Sequence, residues 1–148
     1  MDYREVTGGR EFLARMDYGA DWRDEVVELA TAEGVDAAVF TATGSVQDAV
    51  LRYWDRAEAA FRTAEFNEPL DVAACHGTVA HGPGDADAVD ADALRADATV
   101  VLSRRSGQAL AGRLEAATVH AGELYLREFQ GRLERSVDDV TDLPLLEL

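Results

Sequence analysis

Lysine is absent from this chain of 148 residues: all 14 basic residues are arginine, and they face 29 aspartates and glutamates for a formal net charge of −15. So acidic a chain is poorly suited to duplex nucleic acid, which is bound through cationic groups that neutralise phosphates and release counterions. Cysteine is nearly absent too. Cys75 alone excludes an internal disulfide and fits a reducing compartment, so a cytoplasmic protein is expected. Its apolar surroundings (Val72-Ala73-Ala74-Cys75) read as a buried structural thiol rather than a nucleophile. No apolar run approaches the roughly 18 residues of a membrane span, and Met1-Asp2-Tyr3-Arg4-Glu5 does not read as a signal peptide. What is present is apolar content of 47%, which argues against wholesale disorder, and a length that fits one domain over 1–148.

Along the chain, Tyr3–Thr7 and Glu11–Met16 read as strands joined by a hairpin at Gly8-Gly9. A helix is expected over about 21–33. Asp21 caps it, Asp24 and Glu25 sit at its positive end, Trp22, Val26, Leu29 and Ala30 form its apolar stripe, and Gly34 ends it. Strands are then expected at Ala37–Thr43 and, after Gly44-Ser45, at Val46–Trp54. Ala57–Phe66 is ambiguous between helix and strand and is read as strand from its neighbours. Leu70–Val79 is a further apolar run, and Asp85, Asp87, Asp90 and Asp92 form an acidic segment in which 90–95 is compatible with a short helical turn. Strands at Thr99–Ser103, Gln108–Val119, Gly122–Phe129 and Arg132–Val137 follow, separated by glycines. The apolar tail Leu143–Leu148 is expected to pack on the body or on a neighbouring subunit. The pattern predicts an α+β fold: a largely antiparallel curved sheet of about seven or more strands with one main helix.

Most site motifs are missing. Ser45, Ser103, Ser106 and Ser136 stand in no Gly-x-Ser-x-Gly elbow, and the glycines match neither the dinucleotide nor the phosphate-loop pattern. Asp85–Asp90 lacks the glycine and terminal glutamate of a calcium loop. His76, His81 and His120 are scattered; His120 reads as a core or interface position, and no meeting of His76 or His120 with Glu123 is supported. One arrangement stands out. Asp97 and Thr99, two apart in a strand, leave the same face, and a reversal at Ser106-Gly107-Gln108 brings Arg113 back toward them. An Asp97–Arg113 ion pair across the strands is the expected outcome, worth about 1 kcal/mol or less if exposed.

Several segments, in order, resemble the PPC (plants and prokaryotes conserved) domain family: Gly9–Met16, Val39–Gly44, Val50-Leu51-Arg52-Tyr53-Trp54-Asp55, Leu70–Gly77, Val101–Gly107, Gly112-Arg113-Leu114 and Ala121–Leu124. The resemblance covers nearly the whole chain except the acidic segment near 82–95, and the lysine-free acidic composition is similar to that of salt-in halophiles, so an archaeal, halophilic stand-alone member is implied. It implies a homotrimer acting through protein or small-ligand contacts, with the Leu145-Leu146-Leu148 tail as one candidate contact; the family label is predicted DNA-binding. The AT-hook that binds DNA in plant members has no counterpart here, and direct DNA binding by this domain is not expected. Many prokaryotic relatives carry three histidines where this chain has Asp97, Thr99 and Arg113, so the metal site is read as degenerate, with no metal, no cofactor and no catalytic residue assigned. The rival reading is an enzyme or ligand-binding protein, similar in fold to the zinc enzyme acetolactate decarboxylase, with a pocket around Arg52, Asp97, Arg113 and Glu123.

Overall fold

The structure, a computed structural model, describes residues 1–58, 60–83 and 92–148. Among the described residues the elements run β1 (Gly8–Met16), α1 (Trp22–Glu33), β2 (Ala38–Asp55), β3 (Ala60–Phe66), β4 (Leu70–His81), β5 (Leu94–Ser103), β6 (Ala109–Phe129), β7 (Arg135–Val137) and β8 (Pro144–Leu146). The fold is α+β, a curved antiparallel sheet of order β1-β6-β5-β4-β2-β3 with one helix and a small β7-β8 pair. β6 also pairs with β2, so the sequence β2-β4-β5-β6 returns to β2 and the sheet closes on itself.

The helix forms where its end signals place it. Asp21 Oδ1 accepts from the backbone N–H groups of Arg23 and Asp24 at 2.9 and 3.1 Å, satisfying donors that the first turn leaves open. Its other oxygen, Oδ2, accepts from Ala117 N at 3.1 Å, which ties the cap to β6. Gly34 ends the helix in the left-handed region, at φ 65°. Trp22, Val26 and Ala30 are fully buried, and α1 packs its apolar face against β5 and β6. Each large side chain withdrawn from water in this way contributes about 1.5–3 kcal/mol. The core continues through Phe40, Leu70, Val79, Val100, Leu102, Val119 and Leu126.

Glycine behaves differently from the expectation. Val46–Trp54 is not a separate strand: β2 runs unbroken through Gly44-Ser45, and β6 runs unbroken through Gly122. Gly44 and Gly122 face each other across the pair, at a point where the register of β2 shifts against both neighbours. Their role is close backbone approach at a bulge, which bends two long strands without ending them. The hairpin at Gly8-Gly9 is likewise absent. Both glycines lie inside β1, which pairs with the end of β6, and Tyr3–Thr7 forms no strand. A side chain at position 9 would collide with Glu128, which receives Arg10 there.

Strand β5 begins at Leu94, earlier than expected, so Leu94 and Arg95 are extended rather than in a turn; Asp85, Asp87, Asp90 and the start of that turn lie outside the described residues. Ala60–Phe66 is strand. The apolar tail has a partner within the chain: β8 pairs with β7, Pro144 is buried, and Leu146 packs on Ala37, Ala80 and Leu133.

A methyl group tests the bend. A Cβ at Gly44 would lie 2.0 Å from the Ala121 carbonyl oxygen on a backbone with φ 150°, whereas one at Gly107, φ 83°, meets nothing within 4 Å. Gly44→Ala is expected to lose about 3 kcal/mol and Gly107→Ala about 1 kcal/mol of unfolding free energy in urea titrations. Equal losses would show that the two long strands do not approach closely at this point.

Candidate functional site

Strand alternation sets the site. In β5, Ala96, Ala98, Val100 and Leu102 point into the core, which turns Asp97 and Thr99 to the other face. The reversal that returns the chain is built by Gly107 N donating to Arg104 O at 2.8 Å and Arg104 N donating to Gln108 O at 2.9 Å. It sets Arg113 of β6 directly opposite Thr99. On the other side of β5, Thr99 faces His76 and Asp97 faces Thr78, both on β4. The row continues to β2, where Thr41 is opposite His76.

Asp97 is the electrostatic centre of this row. Its Oδ2 accepts from Arg113 Nη2 at 2.9 Å and lies 3.5 Å from Arg135 Nη2. Arg135 comes from β7 and donates also to Thr78 Oγ1 at 2.6 Å and to the Pro144 carbonyl at 3.0 Å. The β7-β8 pair therefore places this second guanidinium, and is itself held to β4 by His81 N donating to Leu133 O at 2.8 Å. Burial lowers the pKa of Arg135; Asp97 opposes the shift and Arg113 reinforces it. A cavity of about 430 Å³ opens over these groups, lined by Asp97, Thr99, Arg113, Arg135, His76 and Thr78 and, at its other end, by Val39, Phe40 and Tyr125.

The expected pocket is thus brought together in part. Arg52 lies opposite Arg113, on β2, with its side chain only 8% exposed and its Nε 3.1 Å from Glu115 Oε2. Phe61 lies beneath both guanidiniums, 4.6 Å from Arg52 and 5.6 Å from Arg113. Arg52 lines, with Asp97 and Arg135, a smaller recess of about 20 Å³. Burial lowers its pKa, Glu115 opposes that, and Arg23 and Arg113 add to it. Glu123 is not part of the group. It pairs with Arg15 and Thr43 at the far end of β6 and lines a separate cavity of about 400 Å³. Glu123 stands two residues before Tyr125 on β6, toward the apolar end of the main cavity and away from Arg113.

The remaining candidates fall into structural roles. Cys75 is buried, and burial pushes its thiol up to about 11, with the Trp22 side chain opposing the shift. His81 links Asp36 Oδ1, 2.8 Å from its Nε2, to the Asp92 carbonyl, 3.0 Å from its Nδ1. His120 is exposed and stands edge-on to Tyr18, outside the core. The sequence reading missed His76, Thr78 and Arg135. Arg135 had one available signal, an apolar tail that needed a partner.

A cation does not suit the positions Asp97, Thr99 and Arg113. Asp97 already accepts from one guanidinium and faces a second, a threonine hydroxyl is a weak ligand for zinc, and a guanidinium has no lone pair to give. Among the described residues no three His, Cys, Asp or Glu side chains gather to hold a metal ion.

The family model of the Plants and Prokaryotes Conserved (PCC) domain matches residues 3–130. Among solved structures, a metal-containing protein from Archaeoglobus fulgidus superposes with a TM-score of 0.88 at 29% identity, over 100% of both chains. A plant- and prokaryote-conserved (PPC) protein from Pyrococcus horikoshii gives 0.86 at 20% identity, over 100% of this chain and 98% of that one. A candidate DNA-binding protein from Bacteroides thetaiotaomicron gives 0.78 at 15% identity, over 96% of each chain. No curated protein matches the sequence.

Removing the shared acceptor tests this geometry. Asp97→Asn leaves Arg135, whose side chain is only 13% exposed, beside Arg113 without a carboxylate, and is expected to cost about 1–3 kcal/mol in urea unfolding. Thr99→Ala, at an exposed position in the same row, should stay within about 0.5 kcal/mol. Small and equal effects would show that Asp97 does not hold the two arginines.

Proposed function

Because the chain belongs to the Plants and Prokaryotes Conserved domain family, we propose that it is a non-enzymatic, single-domain member that assembles as a homotrimer and acts, in a regulatory role, through contacts with a protein or a small ligand. One observation carries the non-enzymatic part: the Asp97–Arg113 ion pair, 2.9 Å long, at positions where the resemblance to the family implies metal ligands. A carboxylate engaged by a permanent cation neither coordinates a metal nor abstracts a proton readily.

Direct DNA binding finds little support, although some structural neighbours are described as candidate DNA-binding proteins. The arginines nearest to forming a basic patch are committed to carboxylates. Arg104 pairs with Glu68, Arg132 with Glu134 and Asp92, Arg10 with Glu128 and Glu33, and Arg62 with Asp55 and Glu58. With a net charge of −15, the long-range field repels phosphate before any contact forms. Assembly is supported by apolar side chains left on the surface, among them Leu13, Leu145 and Leu148, and by the two edge strands β1 and β3.

Light scattering in molar potassium chloride, with metal analysis of the same sample, tests the proposal. A mass of three chains and no stoichiometric transition metal are expected. A monodisperse monomer overturns the assembly, and stoichiometric zinc, iron or manganese overturns the non-enzymatic reading. Replacing Asp97, Thr99 and Arg113 together by histidine should create zinc affinity measurable by titration, since Thr99 and Arg113 are cross-strand partners and Arg113 reaches Asp97.

A further inference from the structure

We propose that the cavity over β4, β5 and β6 binds a small organic carboxylate with an apolar body, its charged end at Arg113 and Arg135 and its apolar end against Val39 and Tyr125. The inference rests on the reading of this site as a ligand pocket rather than a metal centre.

Charge is the first argument. In a chain of net charge −15, the cavity lining carries two guanidiniums against one carboxylate, Asp97. Arg113 spends one of its five N–H donors on Asp97, and the others have no hydrogen-bond partner among the described residues. Arg135 lies beside it, fixed by Thr78 and Pro144 rather than left to swing in solvent. A positive excess held at the wall of a partly enclosed space attracts an anion, and the guanidinium fork of Arg113 matches a carboxylate's paired oxygens, with Arg135 adding charge beside it.

Polarity across the cavity is the second argument. Crossing from β6 through β5 and β4 to β2, the lining passes from Arg113 to Thr99, His76 and Thr41, and then returns to β6 at Tyr125. The cationic groups cluster at one end, hydroxyls and an imidazole occupy the middle, and the exposed side chains of Val39 and Tyr125 form the other end. Such a gradient suits a ligand that is charged at one end and apolar at the other. The volume of about 430 Å³ lies within the range of roughly 300–1,000 Å³ over which pockets take small molecules.

Asp97 decides between anions. Its carboxylate stands 2.9 Å from one guanidinium and 3.5 Å from the other, so a bound anion shares their charge with it. A monoanion balances the net charge of about +1 there; a phosphate dianion is attracted more strongly, but its desolvation cost rises with the square of its charge and it leaves the site net negative. The site therefore favours carboxylate over phosphate monoester.

Isothermal titration of the full chain, in the lowest potassium chloride concentration at which circular dichroism shows it folded, tests this with phenylacetate, phenylacetamide, acetate and phenyl phosphate. Phenylacetate is expected to bind about tenfold or more tightly than each of the other three. Arg135→Gln and Arg113→Gln should each weaken phenylacetate at least about tenfold, Arg113→Lys should recover part of the loss, and Tyr125→Ala should erase the advantage over acetate. Equal binding of the neutral amide, tighter binding of phenyl phosphate, no binding of phenylacetate, or arginine variants that bind normally would each overturn the proposal. Because metal is assayed on the same preparation, the two failures separate. Stoichiometric metal removes the ligand-pocket reading itself, while neither metal nor anion removes this inference alone.

Discussion

Asp97 sits between two guanidiniums that the chain supplies from strands far apart in sequence, and the arrangement of the site follows from that contact. Arg113 arrives by the β5-β6 reversal and Arg135 by the small β7-β8 pair, and both meet the same carboxylate oxygen. Without the carboxylate the two cations would repel each other on the outer face of the sheet, where neither is fully exposed. With it they are held in fixed positions, Arg113 at the cavity wall and Arg135 tied back to Thr78 and Pro144. A single acid thus converts a like-charge clash into an ordered cationic wall.

The fold supplies the rigidity this needs. Arg23, in the first turn of α1, donates to the Ala96 carbonyl at 2.9 Å and to the Glu115 carbonyl at 3.0 Å, joining helix, β5 and β6 immediately beside Asp97. Asp21 fixes the same helix end to Ala117. Gly77, opposite Phe40 on β2, leaves no room for a side chain: a Cβ there would lie 2.2 Å from the Asp97 carbonyl oxygen. The absence of that one carbon lets β4 lie close to Asp97. Backbone contacts of this kind do not depend on solvent screening, so the site's frame is built from interactions that salt leaves intact.

How much of this the sequence disclosed can be judged residue by residue. The helix was legible to its ends because Asp21 and Gly34 act locally, through their own side-chain oxygen and backbone freedom. The facing of Asp97 and Thr99 was legible because alternation is a property of any strand, and the meeting with Arg113 because a Gly-containing reversal fixes antiparallel register. Gly44 and Gly122 were misread because a glycine that ends a strand and one that lets two strands touch look alike in one dimension. Their difference lies in the partner chain segment, Ala121-Gly122 across from Gly44. Arg135 was missed because its position depends on the tail pairing with β7, a contact that no local spacing encodes.

The absence of lysine bears on the same economy of charge. A guanidinium is more weakly hydrated than an ammonium and presents a planar fork, so it gives up less on entering an ion pair and can stack on an aromatic face. The structure uses both properties at one place: Arg52 and Arg113 lie over Phe61, and each also reaches a carboxylate. Added salt acts unevenly on such a molecule. Raising ionic strength from 0.1 to 1 M shortens the Debye length from about 10 to about 3 Å, which damps the mutual repulsion of the surface carboxylates. Contacts near 3 Å in the half-buried cluster around Asp97 are screened far less, because ions do not enter between the paired groups. Salt therefore relieves the surface while sparing the site.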